Sequence, residues 1–276
     1  MAEWLLAHDG KLSWYALLTS FAVLAIVESF RPRQPLRFGP ATRWVTNAVL
    51  SASGSLLVAL IVPVGALSAA LLAEQRGWGV LNLVHFPAWL TCLIGAIALD
   101  LTNYGQHRLV HKLPLLWRFH QVHHSDLDVD CATALRHHPV EILFSTCVAG
   151  GAVLLFGIPP GVVIVMVALF IASSVLNHAN IAVSDPVDRW LRRIVVTPDM
   201  HRTHHSANLT ESNRNFTTLL PWWDHLFGTY QSTPRLGYAG MQIGITSATT
   251  ASDVTLGNLL LMPFRRARPA IVAKAA

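Results

Sequence analysis

The chain has 276 residues, of which 53% are hydrophobic and only 13% are charged. A soluble domain has about 25% charged residues, so this composition excludes an ordinary soluble protein and predicts an integral membrane protein. A net charge of +5 is also found in nucleic-acid binders, but here the Lys and Arg residues flank apolar runs and form no single basic face. The three cysteines contain no Cys-x-x-Cys pair, which argues against a disulfide framework or a thiolate metal site.

Five apolar runs predict helices that enter or cross a membrane. They cover residues 12–30, 44–73, 80–104, 140–156 and 162–176. The first run is followed by Arg31-Pro32-Arg33 and by no small-residue cleavage site, so we expect a retained span. The second contains Pro63 and predicts either one kinked span or a span followed by an interfacial piece. The last two runs are short for a full crossing and predict a tight helical hairpin that dips into the membrane and returns.

Positive charges predict which side of the membrane each loop faces. Four Lys or Arg residues lie in 31–43, four in 107–140 and ten in 178–276, whereas 1–11 and 74–79 hold one each. Cytoplasmic loops carry an excess of Lys and Arg. We therefore expect the N-terminus outside, and the first loop, both histidine-rich regions and the C-terminus in the cytoplasm.

Histidines are concentrated in two parts of the chain. Five of the 14 fall within residues 107–124, and the pattern His-x-x-His-His-Ser occurs at 120–125 and again at 201–206. Since helix residues three or four apart share a face, each block places its imidazoles together. Two further histidines lie where the predicted hairpin begins and ends, on the same side as these blocks. The ten candidate ligands, enough for two metal ions, are His107, His111, His120, His123, His124, His138, His178, His201, His204 and His205.

Sites rich in imidazole suit iron, zinc, copper and nickel. The chain lacks the His-Glu-x-x-His motif of zinc hydrolases, and a structural zinc site would be closed with four ligands. Two nitrogen-ligated metals at a membrane face fit O2 chemistry on a lipid, because iron can reduce O2 to an oxidant that cleaves a C–H bond. We therefore expect two non-haem iron ions.

Acidic residues beside the histidine blocks are expected to accept hydrogen bonds from metal-bound imidazoles. The candidates for this role are Asp100, Glu141, Asp199 and Asp224. His137 adjoins His138, and the sequence leaves open which of the two is a ligand. Asp126, Asp128 and Asp130 are expected to form a solvated loop face. His225 is expected either to contact a metal ligand or to have a structural role.

The ordered motifs HRLVH, LLWRFHQVHHS, HHPVE, NHAN, HRTHHS and WWDHLFGTY resemble the fatty acid hydroxylase superfamily. This superfamily includes sterol desaturases, C-4 methyl sterol oxidases and alkylglycerol monooxygenase. The resemblance covers roughly residues 95–230 and implies a membrane-bound di-iron oxygenase that uses O2 and external electrons. Eight of the ten candidates match its histidine pattern, and His138 and His178 match further histidines of the family.

The expected fold is an all-α integral membrane helical bundle with a cytoplasmic histidine-rich helical cap. The expected divisions are an N-terminal transmembrane region at 1–80, a fatty acid hydroxylase-like catalytic domain at 81–230 and a C-terminal cytoplasmic tail at 231–276. The membrane is expected to be a bacterial inner membrane. No cytochrome b5 motif, cysteine cluster or Gly-x-Gly-x-x-Gly is present, so we expect a separate electron donor, such as a reductase, ferredoxin or cytochrome.

The leading hypothesis is an enzyme that hydroxylates or desaturates a lipid, with no side chain acting as nucleophile. One alternative is a histidine-rich metal transporter or metal-binding membrane protein, but the predicted spans are almost empty of the polar ligands that a transport path needs. Another is a b-type haem carrier, which would need histidines facing each other within the bilayer. The sequence leaves open the lipid, which could be a sterol, hopanoid, acyl chain, alkylglycerol ether or carotenoid.

Overall fold

The computed structural model describes residues 9–62 and 65–265, and within these ranges the chain is helical and contains no strand. The long helices are α1 (Asp9–Phe30), α2 (Pro40–Ile61), α5 (Ala88–Lys112), α7 (Pro139–Phe156) and α8 (Pro160–His178). The shorter helices are α3 (Ala66–Arg76), α4 (Val80–Leu83), α6 (Pro114–His124), α9 (Asp185–Leu191), α10 (Pro198–His204), α11 (Leu209–Ser212), α12 (Trp222–Leu226), α13 (Gly237–Gly240) and α14 (Leu256–Leu261). Short 3-10 helices cover Cys131–Leu135, Ala251–Val254 and Met262–Phe264.

Four stretches of the described residues are long and apolar enough to cross a membrane. They are Lys11–Phe30, Pro40–Leu83 (which includes two residues outside the described ranges), Pro139–Phe156 and Pro160–His178. The prediction of an all-helical membrane bundle is therefore confirmed. Helix α5, predicted as a third span over 80–104, is not among the four, because Asp100 and Asn103 reduce the apolar character of its second half.

The hairpin of α7 and α8 forms the centre of the bundle. Pro139 and Pro160 each stand in the first turn of a helix, where a missing N–H costs nothing and the fixed φ favours helix formation. Gly157 ends α7 with a φ of +67°, a conformation that glycine adopts without strain. Gly79 packs so close to this turn that a β-carbon on it would lie 2.0 Å from the Gly157 nitrogen. Both hairpin helices are also longer than predicted, and each is long enough to cross a membrane.

Apolar packing joins the hairpin to the neighbouring helices. Ala69 and Ala70 of α3, Leu99 of α5, Val153 of α7 and Val163 of α8 belong to one buried cluster. The small alanines let α3 approach the hairpin closely. A second buried cluster joins Leu50 of α2, Val122 of α6 and Leu259 of α14, so the segment after residue 255 also packs on the bundle.

One end of the bundle carries a helical cap that contains the histidines. Helix α5 extends from the apolar region to His107 and His111, and α6 follows it after the single residue Leu113. Backbone bonds join Arg33 to Asn180 and Ala182 to Arg31, at 2.9 and 3.0 Å. Loop 31–43 therefore lies at the same end as the histidine-bearing segments, as the sequence predicted.

Asp126, Asp128 and Asp130 are buried, which shows that the predicted solvated loop face is wrong. Their exposed fractions are 1%, 6% and 0%. Arg43 of α2 pairs with Asp126 at 2.9 Å and with Asp130 at 2.7 Å, and Arg37 pairs with Asp128 at 3.2 Å. The three carboxylates can be buried because guanidinium groups from the N-terminal region neutralise them.

Candidate metal centre

Nine of the ten predicted histidine ligands converge in the cap. Helices α5, α6 and α10 each contribute residues three or four apart, α8 contributes the last residue of the hairpin, and His205 follows α10 directly. Within each of two groups, the potential ligand atoms all lie within 4.8 Å of one another. The first group is His107, His111, His120, His124 and His204. The second group is His123, His178, His201 and His205.

In the first group the Nε2 atoms face a common point. His124 Nε2 lies 3.1 Å from His111 Nε2 and 3.2 Å from His120 Nε2. The Nε2 atoms of His107 and His204 are buried and have no hydrogen-bond partner among the described residues. Buried polar atoms are normally paired, so the convergence of buried imidazole nitrogens that have no hydrogen-bond partner fits a metal-binding site.

The second group has the same arrangement around one residue. The Nε2 atom of His178 lies 3.1 Å from the Nε2 atoms of His123, His201 and His205. The two groups share helices α6 and α10, and the rings of His124 and His205 stack with their centroids 4.6 Å apart. The two candidate metal positions are therefore neighbours in one centre.

Backbone carbonyls fix the orientation of four imidazoles by accepting a hydrogen bond from Nδ1, the ring nitrogen away from the centre. His107 Nδ1 donates to the Phe216 carbonyl at 2.6 Å, and His178 Nδ1 donates to the Ser174 carbonyl at 2.6 Å. Two further bonds join His204 Nδ1 to Arg214 O at 2.7 Å and His123 Nδ1 to Arg136 O at 3.2 Å. A proton fixed on Nδ1 leaves the Nε2 lone pair free, which is the form that binds a metal.

Glu141 is the carboxylate that orients an imidazole, as predicted. Its Oε1 accepts from His120 Nδ1 at 2.6 Å and from His137 Nδ1 at 3.1 Å. The His137 ring stacks on that of His123, with centroids 4.4 Å apart and planes within 7°. His137 is therefore held beside the centre through Glu141 and through stacking.

His138 lies outside both groups. Its Nδ1 accepts from the backbone N–H of Val140 at 3.1 Å and so caps the start of α7, while its Nε2 lies 3.3 Å from the Leu260 carbonyl. Of the two neighbouring histidines that the sequence could not separate, the structure brings His137 to the centre.

The remaining predicted acids have other partners. Asp100 accepts from Trp223 Nε1 at 2.9 Å, and Asp199 pairs with Arg33 at 3.0 Å. Asp224 accepts from the backbone N–H groups of Phe216 and Thr217, at 2.9 and 3.0 Å. It therefore supports the centre indirectly, by fixing the loop whose Phe216 carbonyl holds His107.

His225 stacks on Tyr230, with ring centroids 4.0 Å apart, and belongs to neither histidine group. This position agrees with the structural one of the two roles expected for it.

Burial keeps five of the clustered imidazoles neutral. It is the main cause that lowers the pKa of each of five histidines outside the apolar spans, and neighbouring imidazoles lower it further. These residues are His123, His124, His201, His204 and His205. For His204 the pKa falls to about 3. A neutral imidazole that does not take up a second proton keeps a lone pair with which it can bind a transition-metal cation.

A cavity of about 670 Å³ connects the centre to the apolar part of the bundle. Its wall includes Leu17 of α1, Leu99 of α5, Ile142 of α7 and Phe170 of α8. Six histidines also line it, namely His107, His120, His123, His137, His178 and His201. A long apolar molecule in this cavity would therefore reach both histidine groups.

Three known proteins are similar to this chain in sequence. The chain is 28% identical over 278 residues to the ornithine lipid hydroxylase OlsE of Rhizobium tropici, covering 96% of this chain and 80% of that protein. It is 30% identical over 166 residues to the human alkylglycerol monooxygenase, covering 56% of this chain and 34% of that protein. A very-long-chain aldehyde decarbonylase of Oryza sativa subsp. indica is 27% identical over 164 residues.

The comparison with solved structures gave no match. The model of the fatty acid hydroxylase family matches residues 92–229, half of the chain. These residues contain every member of both histidine groups. The chain therefore belongs to the fatty acid hydroxylase family.

Proposed function

We propose that this protein is a membrane-bound oxygenase that hydroxylates or desaturates a lipid C–H bond, using two iron ions, O2 and electrons from a separate donor. The observation that carries the proposal is the position of the two histidine groups, which line an apolar cavity among helices able to cross a membrane. Two of the relatives are named as a lipid hydroxylase and an alkylglycerol monooxygenase, which supports a lipid substrate.

The nine grouped histidines are proposed as the metal ligands. The five members of the first group would hold one ion and the four members of the second group the other. His137 and Glu141 support them from outside, and His138 is left out because its ring nitrogens face backbone groups. Bound iron would supply the reduction of O2 to an oxidant able to cleave a C–H bond.

The protein's own groups bind the lipid, orient the imidazoles and exclude water. The apolar cavity wall holds the lipid chain beside the histidine groups and keeps water away from the reacting carbon. Carbonyls and Glu141 hold the imidazole planes in place, which preserves the spacing of the ligands. No side chain is assigned as nucleophile.

The proposed orientation has the cap in the cytoplasm of a bacterial cell, at the inner membrane. The excess of Lys and Arg in residues 31–43 and in the histidine-rich segments supports the cytoplasmic side, and the similarity to a protein of Rhizobium tropici supports a bacterial membrane. The catalytic domain would comprise 81–230, between an N-terminal membrane region at 1–80 and a C-terminal segment at 231–276. Electrons would then come from a cytoplasmic or membrane-associated reductase, ferredoxin or cytochrome.

A metal transporter is less well supported. Its path would need ligands spaced along the spans. Among the described residues, every group of histidine, cysteine or acidic side chains close enough to hold a metal lies at the cap. The same placement disfavours a haem held between two helices within the bilayer.

The test uses purified protein in nanodiscs, supplied with iron and a chemical or enzymatic reductant. We expect about two iron ions per chain, and O2 consumption that depends on added bacterial lipid extract and yields oxidised lipid by mass spectrometry. His204→Ala should abolish the oxidised product. Lipid oxidation that persists in this variant, or protein that binds no iron when supplied with it, would overturn the proposal.

A further inference from the structure

The cap exposes an apolar surface on helices α9 and α12 and just after them. Five large apolar side chains there have exposed fractions between 45% and 69%. We call them the Trp222 surface, which consists of Trp190, Ile194, Trp222, Leu226 and Phe227. The indole Nε1 of Trp222 donates to the Arg193 carbonyl at 2.8 Å, which joins α12 to the segment after α9. An exposed apolar patch of this kind marks a contact with a protein or a membrane.

Helix α12 extends from the cap to the apolar part of the bundle. Trp223 Nε1 donates to Asp100 Oδ2 of α5 at 2.9 Å. The Phe227 ring stacks on that of Tyr104, one helical turn further along α5, with centroids 5.4 Å apart. Leu219, just before α12, packs against the buried cluster that joins α3, α5 and the two helices of the hairpin. Both hairpin helices are long and apolar enough to cross a membrane, so α12 lies beside the part of the bundle that would be in the bilayer.

The face of α5 that carries α12 continues away from the cap as an exposed apolar stripe. Leu93 and Ile97 precede Asp100 and Tyr104 by seven residues, so each pair shares a face, two turns or about 10 Å apart. The two apolar side chains are 48% and 38% exposed. Towards the cap, α5 exposes its first Lys and Arg side chains, at Arg108 and Lys112. Helix α12 therefore lies between an apolar stripe and the first exposed cations, which is the order of groups at a lipid–water interface.

We propose that the Trp222 surface is inserted in the lipid–water interface, with its apolar side chains among the acyl chains and Arg193 at the lipid phosphates. The bilayer is the favoured occupant because the surface borders the exposed stripe of α5, and because tryptophan is enriched at this depth of a membrane. Arg193 is exposed and lines one cleft with Trp222 and Leu226, where its guanidinium complements an anionic head group.

This insertion would also set the depth of the histidines. Asp224 of α12 accepts from the backbone N–H of Phe216, and the Phe216 carbonyl accepts from His107 Nδ1. The first histidine group is thus tied through one loop to a helix held in the interface. The inference requires neither iron nor a particular reaction, so it goes beyond the proposed function.

Photocrosslinking identifies what covers the surface. Leu226→benzoylphenylalanine places a group that reacts with nearby C–H bonds on irradiation, and the whole chain, supplied with iron, is reconstituted in nanodiscs of phosphatidylcholine and phosphatidylglycerol. The same replacement is made at two control leucines. Leu93 lies on the apolar stripe, whereas Leu236 is 78% exposed and follows Arg235, whose backbone N–H donates to Glu211 at 2.7 Å. Mass spectrometry identifies the adducts.

We expect positions 226 and 93 to form adducts with lipid acyl chains. Position 236 should form about tenfold less, because an interfacial helix buries its apolar face about 5–10 Å into the lipid whereas a side chain outside meets water. Iron content and thermal unfolding show whether each variant is folded. If the variant at 226 does not fold, Trp222→benzoylphenylalanine, which exchanges one aromatic side chain for another, gives the same reading.

The other possible occupants give different products. Crosslinked chain dimers in place of lipid adducts at position 226 would show that a second copy covers the surface, and would overturn the proposal. Absence of both products would show that the surface faces water, with the same consequence. Lipid adducts that are as abundant at position 236 as at 226 would also overturn it. None of these readings depends on lipid oxidation, so failure of the proposed function would leave the result unchanged.

Discussion

Arg43 of α2 and Asp126 form a buried ion pair in which Nε and Oδ1 lie 2.9 Å apart. Asp126 is the second residue after His124, a member of the first histidine group. Arg43 lies outside the residues that the family model matches. Helix α2, in the N-terminal region, therefore fixes the loop that follows His124.

Replacing Arg43 is expected to destabilise the cap. Arg43→Met leaves Asp126 and Asp130 buried without the guanidinium that pairs with both of them, and breaking a buried ion pair costs about 3–5 kcal/mol. Thermal unfolding should therefore begin at a lower temperature, and bound iron should fall. The matched control is Arg37→Met, because Arg37 is 58% exposed and pairs with Asp128 at 3.2 Å. In this variant Asp128 keeps two donors, the backbone N–H groups of residue 37 and Phe38 at 2.9 and 2.8 Å, so the loss of stability should be smaller. Equal effects of the two variants would contradict this role for Arg43.

Histidines 204 and 138 should differ in their effect on metal content. His204→Ala removes an Nε2 from the first group, so the variant should bind about one iron ion fewer than the unchanged protein. His138→Ala removes the side chain that caps α7, which costs about 1 kcal/mol of stability and should leave the iron content unchanged. Iron is measured by elemental analysis and stability by thermal unfolding. Loss of iron in the His138 variant and not in the His204 variant would mean that His138 is a ligand and His204 is not.

Helical periodicity was sufficient to predict most of the centre. The spacings within 107–111, 120–124 and 201–205 place imidazoles on common helix faces whatever the tertiary structure, and the structure brings all eight of these histidines together. His138 is different, because Pro139 follows it. Proline favours the first turn of a helix, so the preceding residue becomes the cap. The prediction of His138 as a ligand followed instead from its place at the start of the hairpin.

Long-range pairing could not be read from local sequence. Asp126, Asp128 and Asp130 look like a solvated loop because their partners, Arg37 and Arg43, lie more than 80 residues earlier in the chain. The carbonyls that orient His107 and His204 cannot be recognised from residue type, since the backbone of every residue supplies the same group. The ion pairs and the orienting carbonyls could therefore be identified only from the three-dimensional structure.

Glu141 is expected to control metal affinity through two histidines. Glu141→Gln replaces a carboxylate that accepts from both His120 and His137 with an amide oxygen, which is a weaker acceptor. Loss of such an outer partner typically lowers metal affinity about 10- to 100-fold. Competition with a chelator measures the change. The control is Asp199→Asn, the same substitution at a buried acid that pairs with Arg33, and an equal loss of affinity there would contradict a specific role for Glu141.

Acidification should begin to destabilise the metal-free protein near pH 6.5. The buried ion pairs are lost only at a much lower pH. Five of the clustered histidines stay neutral in the fold, whereas in the unfolded chain they bind protons below about pH 6.5. They are His123, His124, His201, His204 (with a pKa of about 3) and His205. The unfolded state then holds more protons, so stability falls as the pH decreases through 6.5. Asp126 does not contribute in this range. Although burial opposes its ionisation, Arg136 and Arg43 lower its pKa to about 2, and its contribution is lost only below about pH 4.

Thermal unfolding of chelator-treated protein measures this dependence on pH. Between pH 7.5 and 5.5 the unfolding temperature should fall by about 5 °C or more, since several kcal/mol are at stake in a chain of this size. Between pH 7.5 and 8.5 it should stay constant, because histidines are neutral in both states there. An unfolding temperature that is unchanged or higher at pH 5.5 would show that the clustered imidazoles take up protons in the fold, and that their burial does not keep them ready for a metal.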